Sequence, residues 1–433
     1  MFSLVMAKAI QSFSLLAVFI IIMKNLINNK QFWDDLIMEY KIKHPFNQKR
    51  FKNYEKIIND VNFFKSVNAF LSKDYEFSLP KKVEVNKIAT EKKRIVYIYN
   101  NFDDLFIRAI NKYLIKHYSS LVSVACHSFQ TGKGAKTAFK SIFSDKNFFK
   151  KDIVKLDIKN FYNSININDF FNKLPDEMKN NDLIFHYLSK ILKNDKVIWN
   201  NQVVSDKKGL MAGISIAPFL TNLYLKDIDE YFVNHRVNYV RYSDDIIIFD
   251  YPDNLKKHIE FLNYKFNSIN LELNKDKSKY FKSGDKWTFL GFMYDNGIID
   301  ISEHTVEKLK KKIKRLSKRY YLLYQKGKYN DIEILRMFIN KLNTKFYGKD
   351  HELADLCWSR WFFPLINTSK TLSIIDKYVQ NRLRFSVCGR YTKLNYKKIQ
   401  YKTLQNANYK PLNSMYYLFT SNYEKFNKII KTL

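Results

Sequence analysis

Short apolar runs separated by polar turns mark the middle of the chain. Tyr239–Tyr242 and Ile246–Phe249 are both apolar and rich in residues that favour strands. The polar interruption between them has the composition of a tight turn. The pattern predicts a β-hairpin that carries Asp244 and Asp245 at its tip.

A second apolar run, Ile153–Leu156, reads as a buried strand that ends at Asp157. Taken alone, this aspartate can cap the following turn, and an isolated Asp-Asp pair is commonly a solvated turn. Adjacent carboxylates repel one another, so burying them is costly unless a cation neutralises the site. Together, Asp157, Asp244 and Asp245 form the acidic set that a two-metal site for phosphoryl transfer requires.

Helical patterns surround these strands. Apolar residues at spacings of three and four predict helices over 24–73, which end before Pro80, and a helical insert over 167–193. Residues 92–99 read as a strand entered through three cations. A long basic helical region is predicted over 303–346, and one face of it is apolar. That face is formed by Val306, Leu309, Ile313, Leu316, Tyr320 and Leu323.

Five motifs occur in an order that resembles a known family. They are LDIKNFYNSI, GLMAGISIAPFLTNLYL, RYSDDIIIF, LELNKDKSKYF and FLGF. The family is that of the prokaryotic reverse transcriptases related to group II intron and retron enzymes. The long C-terminal region most resembles the stand-alone, defence-associated enzymes of the abortive-infection type.

The resemblance implies an α+β right-hand polymerase. It has fingers, a palm with an antiparallel sheet, a helical thumb and a helical C-terminal extension. The implied boundaries are 23–150 for the N-terminal helices and fingers, 151–300 for the palm, and 301–433 for the thumb and extension. Residues 1–22 contain an apolar run too short to span a bilayer, and we interpret them as an upstream extension of the reading frame.

The same resemblance implies a role for each site residue. Asp157, Asp244 and Asp245 bind two Mg²⁺ ions and are catalytic. Arg94, together with Lys93, holds the triphosphate, and Lys277 protonates the departing pyrophosphate or screens its charge. Tyr162 excludes a 2′-hydroxyl, so the product is DNA. Gly213 lies in the template loop, and the primer grip comprises Phe289, Leu290, Gly291 and Phe292.

One motif departs from the family pattern. Met211 and Ala212 stand where proline and glutamine are frequent. The loss of the amide side chain removes a nucleotide contact. This departure leaves room for synthesis without a template.

The charge of the chain points to nucleic acid. Lys and Arg number 74 against 42 Asp and Glu, which gives a formal net charge of +32. Such a chain is expected to bind a polyanion. The predicted partners are a structured non-coding RNA, deoxynucleoside triphosphates and the DNA product. A homo-oligomer is compatible with the sequence, and no membrane association is expected.

The three cysteines, Cys126, Cys357 and Cys388, form no metal-binding or disulfide pattern, which favours a cytoplasmic location. The resemblance implies an RNA-directed DNA polymerase that acts in antiviral defence. Alternatives are a retron or mobile-element reverse transcriptase, a template-independent DNA polymerase, and a nucleic-acid binding protein with a retired active site.

Overall fold

The computed structural model describes residues 25–44, 47–86, 93–348 and 357–431. The prediction for residues 1–22 lies outside these ranges. The chain divides into two compact units near residue 284. Within the described residues, no helix is long and apolar enough to cross a membrane.

The first unit begins with helices over the predicted region 24–73, but breaks divide that region. Asn29 caps the first helix by accepting a hydrogen bond from the Gln31 N–H. The buried ring of Trp33 meets the rings of Phe63 and Phe106 edge to face within this helical layer. The helices are α1 (Lys30–Lys43), α2 (Gln48–Ile58), α3 (Phe63–Leu71) and α4 (Asn101–Tyr118).

A four-stranded sheet follows in the order β2-β1-β4-β5. Strands β1 and β2 form an antiparallel hairpin, while β1 and β4 pair in parallel. The strand predicted over 92–99 is β2, and the β4–β5 hairpin had no counterpart in the sequence predictions. The strands are β1 (Lys81–Asn86), β2 (Lys93–Ile98), β4 (Lys196–Trp199) and β5 (Gln202–Ser205).

A second four-stranded sheet carries the acidic residues. Its order is β6-β7-β3-β8, and every neighbouring pair is antiparallel. The predicted buried strand and hairpin are both present in this sheet. The strands are β3 (Asp152–Asp157), β6 (Asn238–Tyr242), β7 (Asp245–Asp250) and β8 (Lys279–Phe281).

Helices cover and connect the sheets of the first unit. The predicted insert over 167–193 is helical, in three pieces. The helices are α5 (Ala135–Ile142), α6 (Phe161–Ser164), α7 (Ile167–Lys173), α8 (Asp176–Lys179), α9 (Asp182–Lys193), α10 (Ala217–Tyr224), α11 (Lys226–Asn234) and α12 (Pro252–Ser268).

The second unit contains a three-stranded antiparallel sheet and a helical region. The strands are β9 (Trp287–Phe289), β10 (Phe292–Asp295) and β11 (Ile298–Ile301). The helices are α13 (Glu303–Tyr324), α14 (Asp331–Tyr347), α15 (Trp358–Phe362), α16 (Lys370–Cys388), α17 (Leu394–Lys398), α18 (Tyr401–Asn406), α19 (Leu412–Ser421) and α20 (Tyr423–Lys431).

The basic helical region predicted over 303–346 is present but broken. Gly327 has a φ of 70°, and Asn330 caps α14 in a reciprocal arrangement with Glu333. In α13, Val306, Leu309 and Ile313 are buried, as the apolar face predicted. Helix α13 packs on α16.

Candidate active site

The hairpin tip is a two-residue turn. Tyr242 pairs with Asp245 across strands β6 and β7, so Ser243 and Asp244 form the loop between them. Ser243 has a φ of 59°, which a non-glycine residue adopts only with support from its surroundings. The carbonyl oxygen of Asp244 accepts a hydrogen bond from the Ile158 N–H at 3.2 Å, which ties the turn to the strand that carries Asp157.

The structure brings the three predicted aspartates together. Asp157 is the last residue of β3, and it lies directly opposite Asp245 on β7. Burial raises the pKa of Asp244, and the Asp157 carboxylate raises it further. Burial and the carboxylates of Asp244 and Asp157 raise the pKa of Asp245 to about 6. The strand ends therefore concentrate negative charge that the protein only partly compensates.

The side chains of a lysine and an asparagine donate hydrogen bonds to the carboxylate of Asp157. The Nζ atom of Lys277 lies 2.6 Å from Oδ1 and 2.8 Å from Oδ2 of Asp157. Asn274 donates from Nδ2 to Oδ2 at 3.1 Å, and its N–H donates to the Asp157 carbonyl at 2.7 Å. The predicted lysine motif thus reaches the acidic set through Lys277.

A second lysine lies on the same strand face as Asp157. Lys155 precedes Asp157 by two residues on β3, and side chains two apart share a face. Burial lowers the pKa of Lys155, and the nearby carboxylate of Asp245 partly offsets this shift. Among the described residues, no three side chains of His, Cys, Asp or Glu are already close enough together to hold a metal ion. The donor chemistry nevertheless fits a hard divalent cation, because the carboxylates concentrate unneutralised charge.

Buried side chains support the turn from below. The Arg241 guanidinium donates to both oxygens of Asp229, from Nε at 2.7 Å and from Nη2 at 2.6 Å. Its Nη1 atom donates to the carbonyl of Ser243 at 3.3 Å and to Oδ1 of Asn222 at 3.2 Å. This ion pair is fully excluded from solvent, at 0% exposure for both side chains. It connects helix α11 to the turn residue that precedes Asp244.

Ser128 completes this support. The Ser243 N–H donates to Ser128 Oγ at 2.9 Å, and Ser128 Oγ donates to Asn222 Oδ1 at 3.2 Å. The loop around Ser128 also runs beside β6, where the His127 N–H donates to the Arg241 carbonyl at 2.9 Å. The sequence predictions missed Ser128, Asn222, Asp229 and Arg241. The one available signal was a charged residue within the apolar strand before the turn.

Tyr162 lies beside the turn. Its hydroxyl is 3.1 Å from Ser243 Oγ, and burial raises its pKa. The Arg94 guanidinium carbon lies 5.8 Å from the centre of the Tyr162 ring. Phe161 is buried, as expected for a core aromatic, whereas Tyr162 is part-exposed. The structure therefore joins Arg94, Tyr162 and the acidic turn.

Lys93 is not part of this arrangement. Successive residues of a strand point to opposite faces, and Lys93 precedes Arg94 on β2. Its Nζ lies 2.6 Å from Glu84 Oε2, on the neighbouring strand β1. The predicted role of Lys93 on the triphosphate stays a prediction, but its ammonium is engaged across the hairpin.

The predicted template loop is held by its main chain. The Tyr97 N–H donates to the Ala212 carbonyl at 2.8 Å, and the Ala212 N–H donates to Asn163 Oδ1 at 3.0 Å. Met211 and Ala212 are both buried. Their side chains therefore present no polar group at the loop surface.

Two glycines allow this close approach. Gly213 has a φ of 112°, and a Cβ there would lie 2.9 Å from the Tyr97 carbonyl oxygen. At Gly209, with a φ of 54°, a Cβ would lie 2.5 Å from the Tyr162 carbonyl oxygen. The loop is thus clamped between β2 and the start of α6.

The predicted primer grip is a hairpin of the second unit. Phe289 pairs with Phe292 across β9 and β10, and both are buried. The loop residues Leu290 and Gly291 have φ values of 50° and 90°, as two-residue hairpins require. Their contact with a primer stays a prediction.

The first unit combines an antiparallel sheet, three acidic residues at its strand ends and flanking helices, which is the α+β arrangement expected of a right-hand polymerase. Residues 79–294, just under half of the chain, match the family described as "Reverse transcriptase (RNA-dependent DNA polymerase)". Over these residues the chain is similar to the reverse transcriptase family of RNA-directed DNA polymerases. Domains of this family generally use divalent metal ions.

Similarity to individual proteins is more distant. The chain is 27% identical over 172 residues to an uncharacterised 91 kDa protein in the cob intron of Schizosaccharomyces pombe. That match covers 39% of this chain and 21% of the relative, so the chain spans about a fifth of the relative's length.

Two solved structures are similar at low identity. Telomerase from Candida albicans, in complex with a fragment of telomeric RNA, is 12% identical with a TM-score of 0.41, over 86% of this chain and 70% of that one. Apo telomerase from Candida tropicalis is 11% identical with a TM-score of 0.44, over 82% and 64% of the two chains.

Proposed function

We propose that this protein is an RNA-directed DNA polymerase that extends a primer with deoxynucleotides. The observation that carries the proposal is the meeting of Asp157 with Asp244 and Asp245 at the ends of three adjacent strands. It lies inside the segment that matches the reverse transcriptase family. Fixed carboxylates of this kind suit the in-line displacement of pyrophosphate by a primer hydroxyl.

The three aspartates would hold two Mg²⁺ ions, with Asp245 in support of Asp157 and Asp244. When bound, the ions lower the pKa of the primer hydroxyl and neutralise the triphosphate. The protein's own residues orient the substrates. Arg94 is near enough to the turn to lower the pKa of the Asp244 carboxyl, and it can hold phosphate oxygens in the same place.

Tyr162 supports deoxynucleotide selection. Its hydroxyl is tied to Ser243, and Arg94 lies by its ring, so the ring has a fixed position beside the turn. A fixed ring beneath the incoming sugar leaves no room for a 2′-hydroxyl. The product of this site is therefore DNA.

The proposed template is a structured non-coding RNA, and the proposed biological setting is antiviral defence in the cytoplasm. The charge of +32 supports a nucleic-acid partner. The setting rests on resemblance alone, through the motifs and the long C-terminal region. Sequencing of the RNA and DNA that copurify with the protein would distinguish this setting from a retron or mobile element.

Primer extension tests the activity. Purified protein, with Mg²⁺, an oligo(dT) primer on poly(rA) and dTTP, is expected to extend the primer. Asp244→Asn should abolish extension, whereas Asp253→Asn, an exposed acid at the start of α12, should extend normally. Retention of extension by Asp244→Asn would overturn the assignment of the acidic turn.

A second candidate is polymerisation without a template. Met211 and Ala212 are buried and place no amide at the template loop, which favours this alternative. A parallel reaction that omits poly(rA) distinguishes the two functions. Extension of equal extent without a template would favour the second, and binding of nucleic acid without extension would indicate a retired site.

A further inference from the structure

A stretch of the C-terminal helices carries positive charge without any acidic residue. Between Asp376 and Glu424 the sequence contains nine Lys or Arg residues and no Asp or Glu. The stretch covers most of α16 and all of α17, α18 and α19. A solvated helical surface usually mixes both signs of charge, so this stretch is suited to an anionic partner.

Exposed tyrosines are interleaved with these cations. Tyr391, Tyr396 and Tyr401 are 57%, 53% and 40% exposed. Lys393, Lys397 and Lys402 are also exposed and lie between or beside them in sequence. We name these six residues the tyrosine patch. Large rings left in solvent beside cations are a pattern of surfaces that stack nucleic-acid bases.

The ring of Tyr391 is held on one side. It stacks on Phe385 with 5.1 Å between ring centres and an angle of 26°. The Arg382 guanidinium lies 5.2 Å from its centre, and Ser317 Oγ accepts from Arg382 Nε at 2.8 Å. The ring is therefore ordered before any ligand arrives, while more than half of it faces solvent.

Tyr396 is held in the same way by the end of α16. The guanidinium of Arg384 lies 4.3 Å from its ring centre, and its hydroxyl donates to Asn381 Oδ1 at 2.5 Å. Arg384 is itself buried and donates from Nε to the Ile399 carbonyl at 3.0 Å. Pre-ordered rings lower the entropy cost of binding, because the side chains lose little freedom.

We propose that the tyrosine patch binds single-stranded RNA, namely the part of the template that has not yet been copied. A duplex conceals its base faces, so exposed rings offer it little, whereas a single strand presents both bases and phosphates. The proposal rests on the proposed function, since copying an RNA leaves its uncopied part single-stranded. The cations hold the phosphates, and Tyr391 and Tyr396 stack on bases.

Fluorescence anisotropy with the full chain tests this proposal. The probes are labelled 12-nucleotide oligo(rA), oligo(dA) of the same length, and an RNA hairpin duplex, each at several salt concentrations. Tyr391→Ala with Tyr396→Ala should weaken oligo(rA) binding by at least about tenfold. Tyr391→Phe with Tyr396→Phe, which keeps both rings, should bind as the wild type does. Tyr264→Ala removes a ring of α12 in the first unit that is even more exposed, at 71%, and is the control.

The lysines give an independent variant that leaves the rings in place. Lys393→Gln, Lys397→Gln and Lys402→Gln together should reduce the slope of log K against log salt by roughly 2, at about 0.7 for each phosphate on a single strand. Because these side chains are exposed, the triple variant should fold normally.

The outcomes separate this inference from the polymerase assignment. Unchanged oligo(rA) binding in both the alanine and the glutamine variants would overturn the patch, even if the wild type extends primers. Tighter binding of oligo(dA) or of the duplex than of oligo(rA) would overturn the assignment to uncopied template. Binding in this assay requires no catalysis, so Asp244→Asn should bind oligo(rA) normally. A wild type that binds through the patch yet fails to extend would refute the proposed activity alone.

Discussion

Two ion pairs flank the acidic turn, and they differ in almost every physical respect. Arg241 and Asp229 lie beneath the turn with 0% exposure on both side chains. On the open side, the Lys277 side chain is 55% exposed while its partner Asp157 is 8% exposed. The first pair is surrounded by further hydrogen-bond partners, and the second faces solvent through its cation.

The difference assigns the two pairs different roles: the buried pair supports the turn, and the exposed pair lets the Asp157 carboxylate exchange its lysine for another cation. A buried pair cannot open without leaving an uncompensated charge in the interior, so Arg241 and Asp229 fix the geometry of the turn. A half-exposed lysine can leave its carboxylate at little cost, because water replaces the contact. The carboxylate of Asp157 is therefore free to change partners, whereas the main chain beneath Asp244 is not free to move.

The largest expected effect comes from breaking the buried pair. Arg241→Met leaves Asp229 buried without its cation, so the free energy of unfolding should fall by about 3–5 kcal/mol. Urea denaturation measures this loss, with Arg236→Met, an exposed arginine of the same unit, as control. A loss below about 1 kcal/mol would show that the turn does not depend on this support.

The pH dependence of stability tests the crowding of the carboxylates. The pKa of Asp245 is raised to about 6, so the folded chain binds more protons than the unfolded chain between about pH 4 and pH 6. The free energy of unfolding should therefore fall as pH rises through this window. Asp245→Asn lacks that loss and should gain roughly 1–3 kcal/mol over the wild type between pH 4 and pH 7.

Urea denaturation in the presence of a chelator measures this gain. The control Asp253→Asn replaces an exposed acid and keeps Asp245, so it should show the same pH trend as the wild type and no gain over it. An identical pH trend in Asp245→Asn and the wild type would mean that the surroundings of the turn do not raise the pKa of Asp245.

The proposed sugar selection depends on the ring of Tyr162, which lies beside the turn with its hydroxyl 3.1 Å from Ser243 Oγ. Tyr162→Val removes the ring and should raise the ratio of ribonucleotide to deoxynucleotide incorporation by roughly tenfold or more. Single-nucleotide primer extension with paired triphosphates measures the ratio. Tyr162→Phe keeps the ring and should keep the selection, and an unchanged ratio in the valine variant would refute the gate.

The smallest effect on stability is expected on the open side. Lys277→Met should change the free energy of unfolding by less than about 1 kcal/mol. Mn²⁺ affinity, measured by titration calorimetry without substrate, should rise severalfold, because a cation no longer competes for the Asp157 oxygens. Lys279→Met, at an exposed lysine two residues away, is the control. Weaker Mn²⁺ binding by Lys277→Met would contradict the view that Lys277 competes with the metal ion for Asp157.

The sequence was sufficient to place the three aspartates, because each ends or interrupts an apolar strand and strand patterns are local. The same local logic predicted β2 and the apolar face of α13. It could not reveal the residues that support the turn. Ser128 lies 115 residues from its partner Ser243, and Asn222 and Asp229 lie 19 and 12 residues from their partner Arg241. Their side chains carry no periodic signal, since their importance comes from tertiary contacts alone.

Successive side chains of a strand point to opposite faces, so residues that are adjacent in a sequence motif can lie in different surroundings. Lys93 and Arg94 are neighbours in sequence, but the structure brings Arg94 to Tyr162 and pairs Lys93 with Glu84. A basic motif indicates that cations are present, but the alternation of side chains along the strand determines which of them reaches the acidic turn.

The glycine loop has a mechanical consequence. Gly209 lies against the carbonyl of Tyr162, and Gly213 lies against that of Tyr97, so a methyl group at either glycine would act as a wedge. The displacement would pass directly to the helix that carries Tyr162 or to the strand that carries Arg94. A variant at Gly209 would therefore behave as a defect in sugar selection, although its own backbone need never touch a nucleotide.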